Sequence, residues 1–514
     1  MSDDLRAPSR FRRLLPWAAG VSVFLLISGL VWVSTLKVAH VVRIFGQPRW
    51  VAGGHAALRV GVIEVRTGSP VLGIGVALSL IDPAGRSHPL FAGRSEGTAT
   101  VGVNLDVPEL APGPYELQVE ARWAEGGLET RRVAVEILPA GAERPLPAAA
   151  PPGPQEIKRR VIGVGESQAV RFDTIPTGPA LVSNMENELF LLTVNEKQDR
   201  PVSATVSVEQ VPGEHRTDAA GLTSVMVQPK LGREFKLSLH ASTEDGRQGR
   251  AEAFLPLPPV QVRLLPSRRV VEPGGELVAH VGSLRRQADL HCDLWRGGQW
   301  LKTLARPVTT GETEFVIEVP GSIRGLLRLQ AYLNPSNPSR AHDHRVVLVG
   351  ELAEGPAVVA SLLDGGAELP PVARAWAELP VGGEQAPYSA ERLTRAALAL
   401  AAGEFLPPPV LLDSFVLKQA ELEAYVGRIR TVLVALLGGG GGLFLVVLFV
   451  IVGGHYTRTR RSVEAALAEE AELDGEEMDL GARGVGLELL ALMGIMTLAL
   501  AGLIYLLLNL KWGL

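Results

Sequence analysis

An uninterrupted apolar run near the C-terminal end limits what this chain can fold into. The run occupies residues 431–452, TVLVALLGGGGGLFLVVLFVIV, and its 22 residues include no charged side chain and no side-chain amide. A helix of about 20 residues crosses the hydrocarbon core of a bilayer, so the run is long enough for one transmembrane helix. The sequence therefore predicts a membrane protein whose other segments lie on one side of the bilayer or the other.

Two further segments have the same apolar character. Residues 14–36 contain no charge and follow a cluster of arginines within residues 1–13, and residues 485–510 contain a third apolar run. The first segment is longer than the apolar part of a secretory signal and ends without a small-residue cleavage pattern. We expect an uncleaved signal-anchor there, with cleavage as the alternative, and three transmembrane helices in the whole chain.

The arginines predict the orientation of these helices. Arg458, Arg460 and Arg461 follow the second apolar run, and an excess of Lys and Arg marks the cytoplasmic side of a membrane. This pattern places the N-terminus and an acidic loop, residues 453–484, in the cytoplasm. The large region between the first two spans would then lie in the periplasm or outside the cell. The predicted location is the bacterial cytoplasmic (inner) membrane, in a multi-pass arrangement.

Five consecutive glycines, Gly438, Gly439, Gly440, Gly441 and Gly442, lie in the middle of the second apolar run. Glycine lets a neighbouring helix approach closely within lipid, so the run predicts a helix-packing groove for another span or for a partner subunit. The alternative is compositional drift in a sequence with 56 glycines. The low helix propensity of glycine calls for some compensation in such a run, and both interpretations stay open.

The region between the first two spans has the pattern of antiparallel strands. Leu58, Val60 and Val62 alternate with Arg59 and Gly61, and similar alternation recurs along the region. Turn sequences rich in Gly and Pro separate these segments at intervals of about 8 to 12 residues, which is typical of β-sandwiches.

The first of these segments resembles a known family. The sequence marks, in chain order, are Gln47-Pro-Arg-Trp-Val-Ala-Gly-Gly, Gly68-Ser-Pro-Val-Leu-Gly-Ile-Gly, Asp82-Pro-Ala-Gly-Arg86 and Pro112-Gly-Pro-Tyr-Glu-Leu117. Together they resemble the macroglobulin-like domain of bacterial alpha-2-macroglobulins, over residues 47–138. The resemblance implies an immunoglobulin-like sandwich.

The rest of the outer region divides by composition. A Pro- and Ala-rich linker at residues 139–155 precedes a second sandwich at 156–257 and a third at 260–350. The third repeats the start of the first, Arg269-Val-Val-Glu-Pro-Gly-Gly beside Arg49-Trp-Val-Ala-Gly-Gly. Residues 351–430 are expected to form a partly helical, membrane-proximal region. The predicted fold class is mainly β, with tandem immunoglobulin-like or macroglobulin-like β-sandwiches and three transmembrane α-helices.

Few residues are candidates for catalysis or metal binding. The alpha-2-macroglobulins form a thioester within Cys-Gly-Glu-Gln, and here Gly382 stands in place of the cysteine, so the resemblance does not extend to covalent trapping. His342 and His344 share one face of a predicted strand, but two ligands do not make a metal site. Cys292 and His291 are adjacent, and adjacent strand residues point to opposite faces, which favours a buried structural thiol. We predict no catalytic residue, no cofactor and no metal site.

Trp295 and Trp300 flank a predicted hairpin turn at Gly297-Gly298. Two interpretations are open for this pair. The rings form an exposed recognition patch, or they cover the apolar core of their own sandwich.

These observations favour a membrane-anchored, non-enzymatic structural or interaction subunit that displays macroglobulin-like domains in the periplasm or at the cell exterior. The expected partners are other envelope or membrane proteins, membrane lipid, and further copies of the chain through the transmembrane helices. A net charge of −5 gives no reason to expect nucleic acid. The alternative is a thioester-less macroglobulin relative that senses or inhibits proteases, with residues 139–155 as the bait-like segment.

Overall fold

The structure is a computed structural model. It describes residues 28, 31–32, 37–142, 159–164, 169–257, 262–285, 289–308, 312–334, 342–350, 354–367, 369–380, 386–474, 491, 494–502 and 504–505. The chain forms two compact units, Val42–Asp413 and a second unit that combines Met1–Val41 with Ser414–Leu514. The first unit contains the β-sheets, so the mainly β character predicted from the sequence is confirmed.

The first sandwich packs a sheet of order β1-β3-β6 against a sheet of order β2-β8-β7-β4-β5. Its strands are β1 (His40–Gly46), β2 (Arg49–Val51), β3 (His55–Glu64), β4 (Gly75–Ile81), β5 (Ser87–Arg94), β6 (Thr100–Asp106), β7 (Gly113–Trp123) and β8 (Gly127–Leu138). The alternating apolar side chains of β3 and β7, among them Leu58, Val60 and Leu117, meet between the two sheets. The Asp82-Pro-Ala-Gly85 turn joins β4 to β5, and the Asp82 side chain accepts hydrogen bonds from the backbone of Ala84 and Arg86.

The second sandwich combines a sheet of order β10-β11-β12, in which β15 also pairs with β11, with a sheet of order β14-β13-β16-β17-β9. Its strands are β9 (Arg160–Gly163), β10 (Val170–Pro176), β11 (Asn187–Asn195), β12 (Arg200–Pro201), β13 (Thr205–Val208), β14 (Val211–Arg216), β15 (Leu222–Val227), β16 (Glu234–Ser242) and β17 (Gln248–Pro256). A separate apolar cluster that includes Phe172, Leu189 and Leu237 fills its interior.

The third sandwich combines sheets of order β18-β20-β23 and β19-β25-β24-β21-β22. Its strands are β18 (Val262–Pro266), β19 (Val270–Val271), β20 (Glu276–Ser283), β21 (Asp289–Arg296), β22 (Gln299–Pro307), β23 (Glu312–Glu318), β24 (Gly325–Tyr332) and β25 (His342–Val349). The short strand β19 pairs in parallel with β25, the last strand of this sandwich, with Val270 opposite Leu348. In the first sandwich, β2 pairs with β8 in the same way, with Trp50 opposite Ile137. The sequence repeat at Arg49 and Arg269 therefore corresponds to one structural feature.

Three helices follow, α1 (Pro356–Asp364), α2 (Val372–Ala377) and α3 (Ala390–Leu400). Ser389 caps α3 through its hydroxyl, which accepts a hydrogen bond of 3.2 Å from the Arg392 amide, as the sequence indicates. The helices share an apolar core with strands of the second and third sandwiches, including Phe190 and Leu348. The expected membrane-proximal region is therefore, in this part, an integral layer of the β unit. The physical reason is that the apolar faces of α1 to α3 require cover, and the outer faces of two sheets provide it.

The β unit ends with a strand that returns to the first sandwich. Strand β26 (Val410–Asp413) pairs antiparallel with β1, and Arg43 binds Asp413 at 2.8 Å between Nε and Oδ2. The four residues of β26 lie in a segment that the sequence predicts to be partly helical, and they are too few to show the alternation of a strand. The pairing with β1 therefore comes from tertiary structure alone.

Helix α4 (Ser414–Asp474) begins directly after β26 and has 61 residues. Its part Ser414–Ala465 is the one helix among the described residues that is long and apolar enough to cross a membrane. Three such helices were predicted. Of the other two, residues 14–36 lie almost entirely outside the described residues, and residues 485–510 are described only at 491, 494–502 and 504–505, which are helical. Helix α4 continues through Asp474, into the segment predicted to be the cytoplasmic loop, over a stretch rich in the strong helix formers Ala, Glu and Arg.

The shared helical core gives a first prediction. Leu362 of α1 is 1% exposed, and its truncation leaves a cavity, so we expect Leu362→Ala to lower the free energy of unfolding by about 2 to 5 kcal/mol. Leu231 is 81% exposed, and the same change there is expected to cost less than about 0.5 kcal/mol. Denaturant unfolding of the full-length protein measures both. Equal effects at the two positions would contradict the integral role of α1.

Candidate functional site

A group of buried polar side chains lies where the first sandwich meets the third. We name this region the interdomain joint, and it consists of Ala57, Arg59 and Asn104 from β3 and β6 together with Asp293, Trp295, Trp300, Thr303 and Tyr332 from β21, β22 and β24. Of these members, only Trp295 and Trp300 are predicted from the sequence as site residues. The missed signal is Arg59, a charge in a run of otherwise apolar residues.

Strand periodicity explains why these side chains meet. In β3, Leu58 and Val60 fill the first sandwich, so Arg59 points out of the opposite face. In β21, Cys292 and Leu294 fill the third sandwich, so Asp293 points out of its sheet as well. Both outer faces are buried, because each sandwich covers the other. The half-buried β3 expected from sequence alternation is therefore buried on both faces over most of its length.

Arg59 is the centre of the joint. Its side chain has no exposed surface, and its Nη2 donates to Asp293 Oδ1 at 2.7 Å, while Asp293 is equally buried. The guanidinium also donates to the Tyr332 and Thr303 hydroxyls, and the Tyr332 hydroxyl donates to Asp293. The carbon of the guanidinium lies 5.3 Å from the centre of the Trp300 ring, within the range of a cation–π contact.

The electrostatics of the joint are those of a desolvated ion pair. Burial raises the pKa of Asp293 above its ordinary value, against the opposing effects of Arg59 and of the hydrogen bonds. Burial acts to lower the pKa of Arg59, but Asp293 and Tyr332 together raise it. Arg59 therefore keeps its charge, and Asp293 is the anion that balances it. Replacement of either partner alone leaves the other buried without a counterion.

Trp295 and Trp300 pack on each other inside the joint. Their ring centres are 5.6 Å apart with planes 5° from parallel, and neither side chain is exposed. They cluster with Phe45, Ala57 and Leu406, not with the core of the third sandwich. The structure thus buries the pair that one interpretation placed on the surface, and the surface it covers belongs to the first sandwich. Strand alternation alone does not reveal which domain will cover an outward-facing ring.

Side-chain amides complete the rim of the joint by bonding to backbone across it. The Asn104 amide accepts from Thr303 N at 2.7 Å and donates to Thr303 O at 3.2 Å. Gln47 accepts from Trp300 N at 3.0 Å and donates to Gly298 O. A single residue thus satisfies both a donor and an acceptor of the facing strand, which fixes the register of the two sandwiches.

His342, His344 and Cys292 lie on strands of the sheet that forms the third-sandwich side of the joint. His342 and His344 share one face of β25, with ring centres 5.9 Å apart, and His344 Nε2 lies 2.9 Å from Gly403 O. Within the described ranges, no group of three or more His, Cys, Asp or Glu side chains is placed to hold a metal ion. Cys292 is 1% exposed, and burial raises the pKa of its thiol well above the ordinary value. Residues 381–385, which include Gly382, lie outside the described residues.

A cleft of about 140 Å³ opens in the second sandwich beside Phe172, Glu196 and Arg250. It is smaller than the roughly 300 to 1,000 Å³ of ordinary ligand sites. Most of the predicted linker, residues 143–155, lies outside the described residues, so its bait-like role stays a prediction.

The glycine run of α4 contacts another helical segment within the second unit. A Cβ atom added to Gly441 would lie 2.8 Å from Leu500 Cδ1, and one added to Gly438 would lie 4.0 Å from Ile504 Cδ1. Toward the start of α4, the Tyr425 ring lies edge-on to Trp32, with centres 6.2 Å apart. The described parts of all three predicted spans therefore make contacts within this unit.

No protein-family model matches the sequence, and no curated protein shows significant similarity to it. Solved structures with local similarity include trypsin-activated alpha-2-macroglobulin from Escherichia coli, with 12% identity, 61% of this chain and 23% of that chain covered, and a TM-score of 0.17. Dimeric latent PorU from Porphyromonas gingivalis has 9% identity, covers 60% of this chain and 34% of that chain, and has a TM-score of 0.22. The glucan-utilization protein SGBP-B from Bacteroides ovatus has 11% identity, with 60% of this chain and 67% of that chain covered, and a TM-score of 0.15.

The chain spans about a third or less of the length of the first two of these proteins. Similarity at this level does not identify a family for the chain. The macroglobulin-like resemblance of residues 47–138 stays a prediction.

His344 provides a pH-dependent prediction. Burial lowers its pKa to about 3, from an ordinary value of 6.5, so the folded protein keeps this ring neutral while the unfolded chain takes up a proton below pH 6.5. The contribution of His344 to the free energy of unfolding is therefore fully present above pH 6.5 and is lost as the pH falls. Between pH 6.5 and 5 the loss is about 2 kcal/mol.

Denaturant unfolding of the full-length protein at several pH values measures this loss, with His344→Gln as the comparison. Because all other titrating groups are common to both proteins, the difference between their pH profiles isolates His344. Identical profiles would contradict the neutral, buried state of the ring.

The glycine contact gives a third prediction. Gly441→Val crowds Leu500, and overpacking of this kind costs about 1 to 3 kcal/mol, so we expect a lower thermal unfolding temperature in detergent micelles. Gly440 has open space around its added Cβ among the described atoms, and Gly440→Val is the matched control. Equal shifts for both variants would show that the packing of Gly441 on Leu500 does not stabilise the protein.

Proposed function

We propose that the protein is a membrane-anchored, non-enzymatic scaffold that displays tandem macroglobulin-like sandwiches on the outer side of the bacterial cytoplasmic membrane. Its task in this proposal is to hold an interaction surface at a fixed position for other envelope proteins. Support comes from three sandwiches with separate apolar cores and from an apolar helix that begins at the residue after the last strand.

One observation favours this function above the others. Strands β1 and β26 are antiparallel neighbours, with Arg43 opposite Asp413, so the chain enters and leaves the β unit at the same end of one sheet. A domain held by membrane helices at both termini needs both termini to face the same side. The pairing places the first and last strands of the β unit at that one end.

The anchoring helices are the second part of the proposal. The described structure has one helix that is long and apolar enough to cross a bilayer, and we propose residues 14–36 and 485–510 as two further spans. The N-terminus and the part of α4 beyond Arg458 would lie in the cytoplasm by the distribution of arginines. Gly439 and Gly442, with open space around them among the described atoms, would accommodate a partner helix or a second copy of the chain.

Thiol labelling in intact cells tests the topology. Leu231→Cys lies at an 81% exposed position of the β unit, and Ser462→Cys lies at an exposed position of α4 beyond the apolar run. We expect a membrane-impermeant maleimide to label position 231 in intact cells and position 462 only after permeabilisation. The native Cys292 is buried and serves as the unreactive background. Labelling of 462 and not of 231 in intact cells would overturn the orientation.

Crosslinking in intact cells tests the scaffold role. We expect a short amine-reactive crosslinker to capture the protein in discrete complexes of higher mass that survive mild solubilisation. Recovery of the uncrosslinked monomer alone, from cells and from mild detergent, would contradict the proposal.

A further inference from the structure

The joint between the first and third sandwiches has the composition of a docked interface and not of a continuous core. Each of the two sandwiches has its own apolar cluster. Ala57, Trp295 and Trp300 belong to neither cluster, although their neighbours along the strands do. The joint itself has an aromatic centre, Trp295 and Trp300, beside one buried arginine and a rim of polar bonds. Aromatic and arginine anchors inside a polar rim are typical of interfaces between separately folded proteins.

The closed joint also contains unsatisfied polar groups. Arg59 Nε, Trp295 Nε1 and His291 Nδ1 are buried and have no hydrogen-bond partner among the described residues. All three belong to residues at this interface or stacked on it. Water would satisfy each of them if the sandwiches separated. A buried ion pair adds little net stability, because desolvation offsets much of the attraction between its charges. The polar groups of the joint therefore contribute little net free energy to its closure.

The joint and the pairing of β1 with β26 share one sheet. The sheet that docks on the third sandwich contains β3 and β6, and the same sheet contains β1 and β26. Strand β26 has only three paired residues with β1 and is followed at once by α4. Displacement of β26 therefore acts on the sheet that forms one side of the joint.

We propose that the interdomain joint is a releasable contact between the first and third sandwiches, and that it opens while each sandwich stays folded. Opening uncovers Ala57, Trp295 and Trp300 without exposing the core of either sandwich. This device goes beyond the scaffold function, since a rigid scaffold would have no opened state.

The chain offers a matched set of positions for a test. Ala57 faces the joint, whereas the adjacent Ala56 faces the core of the first sandwich, and both are 2% exposed. The native Cys292 faces the core of the third sandwich and reports its unfolding. Full-length proteins with Ala57→Cys or Ala56→Cys are incubated with a maleimide under native conditions, and mass spectrometry of peptides gives the labelling rate at each position.

We expect Cys at position 57 to react at least about tenfold faster than Cys292 in the same molecule, while Cys at position 56 reacts as slowly as Cys292. Arg59→Ala leaves the Asp293 carboxylate buried and unpaired, so it should raise the rate at position 57 by a further tenfold or more and leave Cys292 unchanged. The double variant Arg59→Met/Asp293→Leu removes both charges. It should return the labelling rate at position 57 to the value in the protein that retains Arg59 and Asp293.

A common rate at positions 56, 57 and 292 in the protein with Arg59 would overturn the proposal, because the joint would then open only when the sandwiches unfold. So would an equal acceleration of Cys292 by Arg59→Ala. The comparison in the protein that retains Arg59 does not depend on whether the Arg59→Ala variant folds.

Discussion

Three residue pairs between β1 and β26 determine how the β unit can be connected to the rest of the chain. They join segments about 370 residues apart, and the ion pair of Arg43 with Asp413 lies at their end. Because the strands are antiparallel, the beginning and the end of the unit emerge together. The three sandwiches therefore form a closed loop of chain between two adjacent points, and not an extended string of domains.

The helices α1 to α3 close this loop on one side. They fill the space over the second and third sandwiches, where Trp376 donates its indole hydrogen to Ala220 O at 2.9 Å. The first sandwich meets the third through a different kind of contact, with a buried ion pair, two stacked indoles and side-chain amides bonded to backbone. The first contact is an extended apolar core, whereas the joint has an aromatic centre with a buried ion pair and a polar rim. The physical difference between them is the basis for assigning movement to the second.

The candidate site was accessible from the sequence only in part. Trp295 and Trp300 flank a predicted glycine turn, but the two interpretations, an exposed patch or cover for their own sandwich, omit a third environment, the face of another domain. Arg59 and Asp293 stand 234 residues apart and pair only after two sandwiches dock. Periodicity predicts that both point out of their sheets, but it does not distinguish an outward face in water from one covered by a second sheet.

The sequence alone determined the local structure: period-two strands with glycine turns, a capped helix after Ser389, and an apolar run long enough for a bilayer. These features depend on residues close together in the chain, whose side-chain spacing and turn chemistry act locally. Only the tertiary structure decided that β26 completes the first sandwich, that α1 to α3 cover two sheets, and that Arg59 is buried against Asp293. Those contacts join residues far apart in sequence, and their stability comes from burying faces whose partner no local pattern specifies.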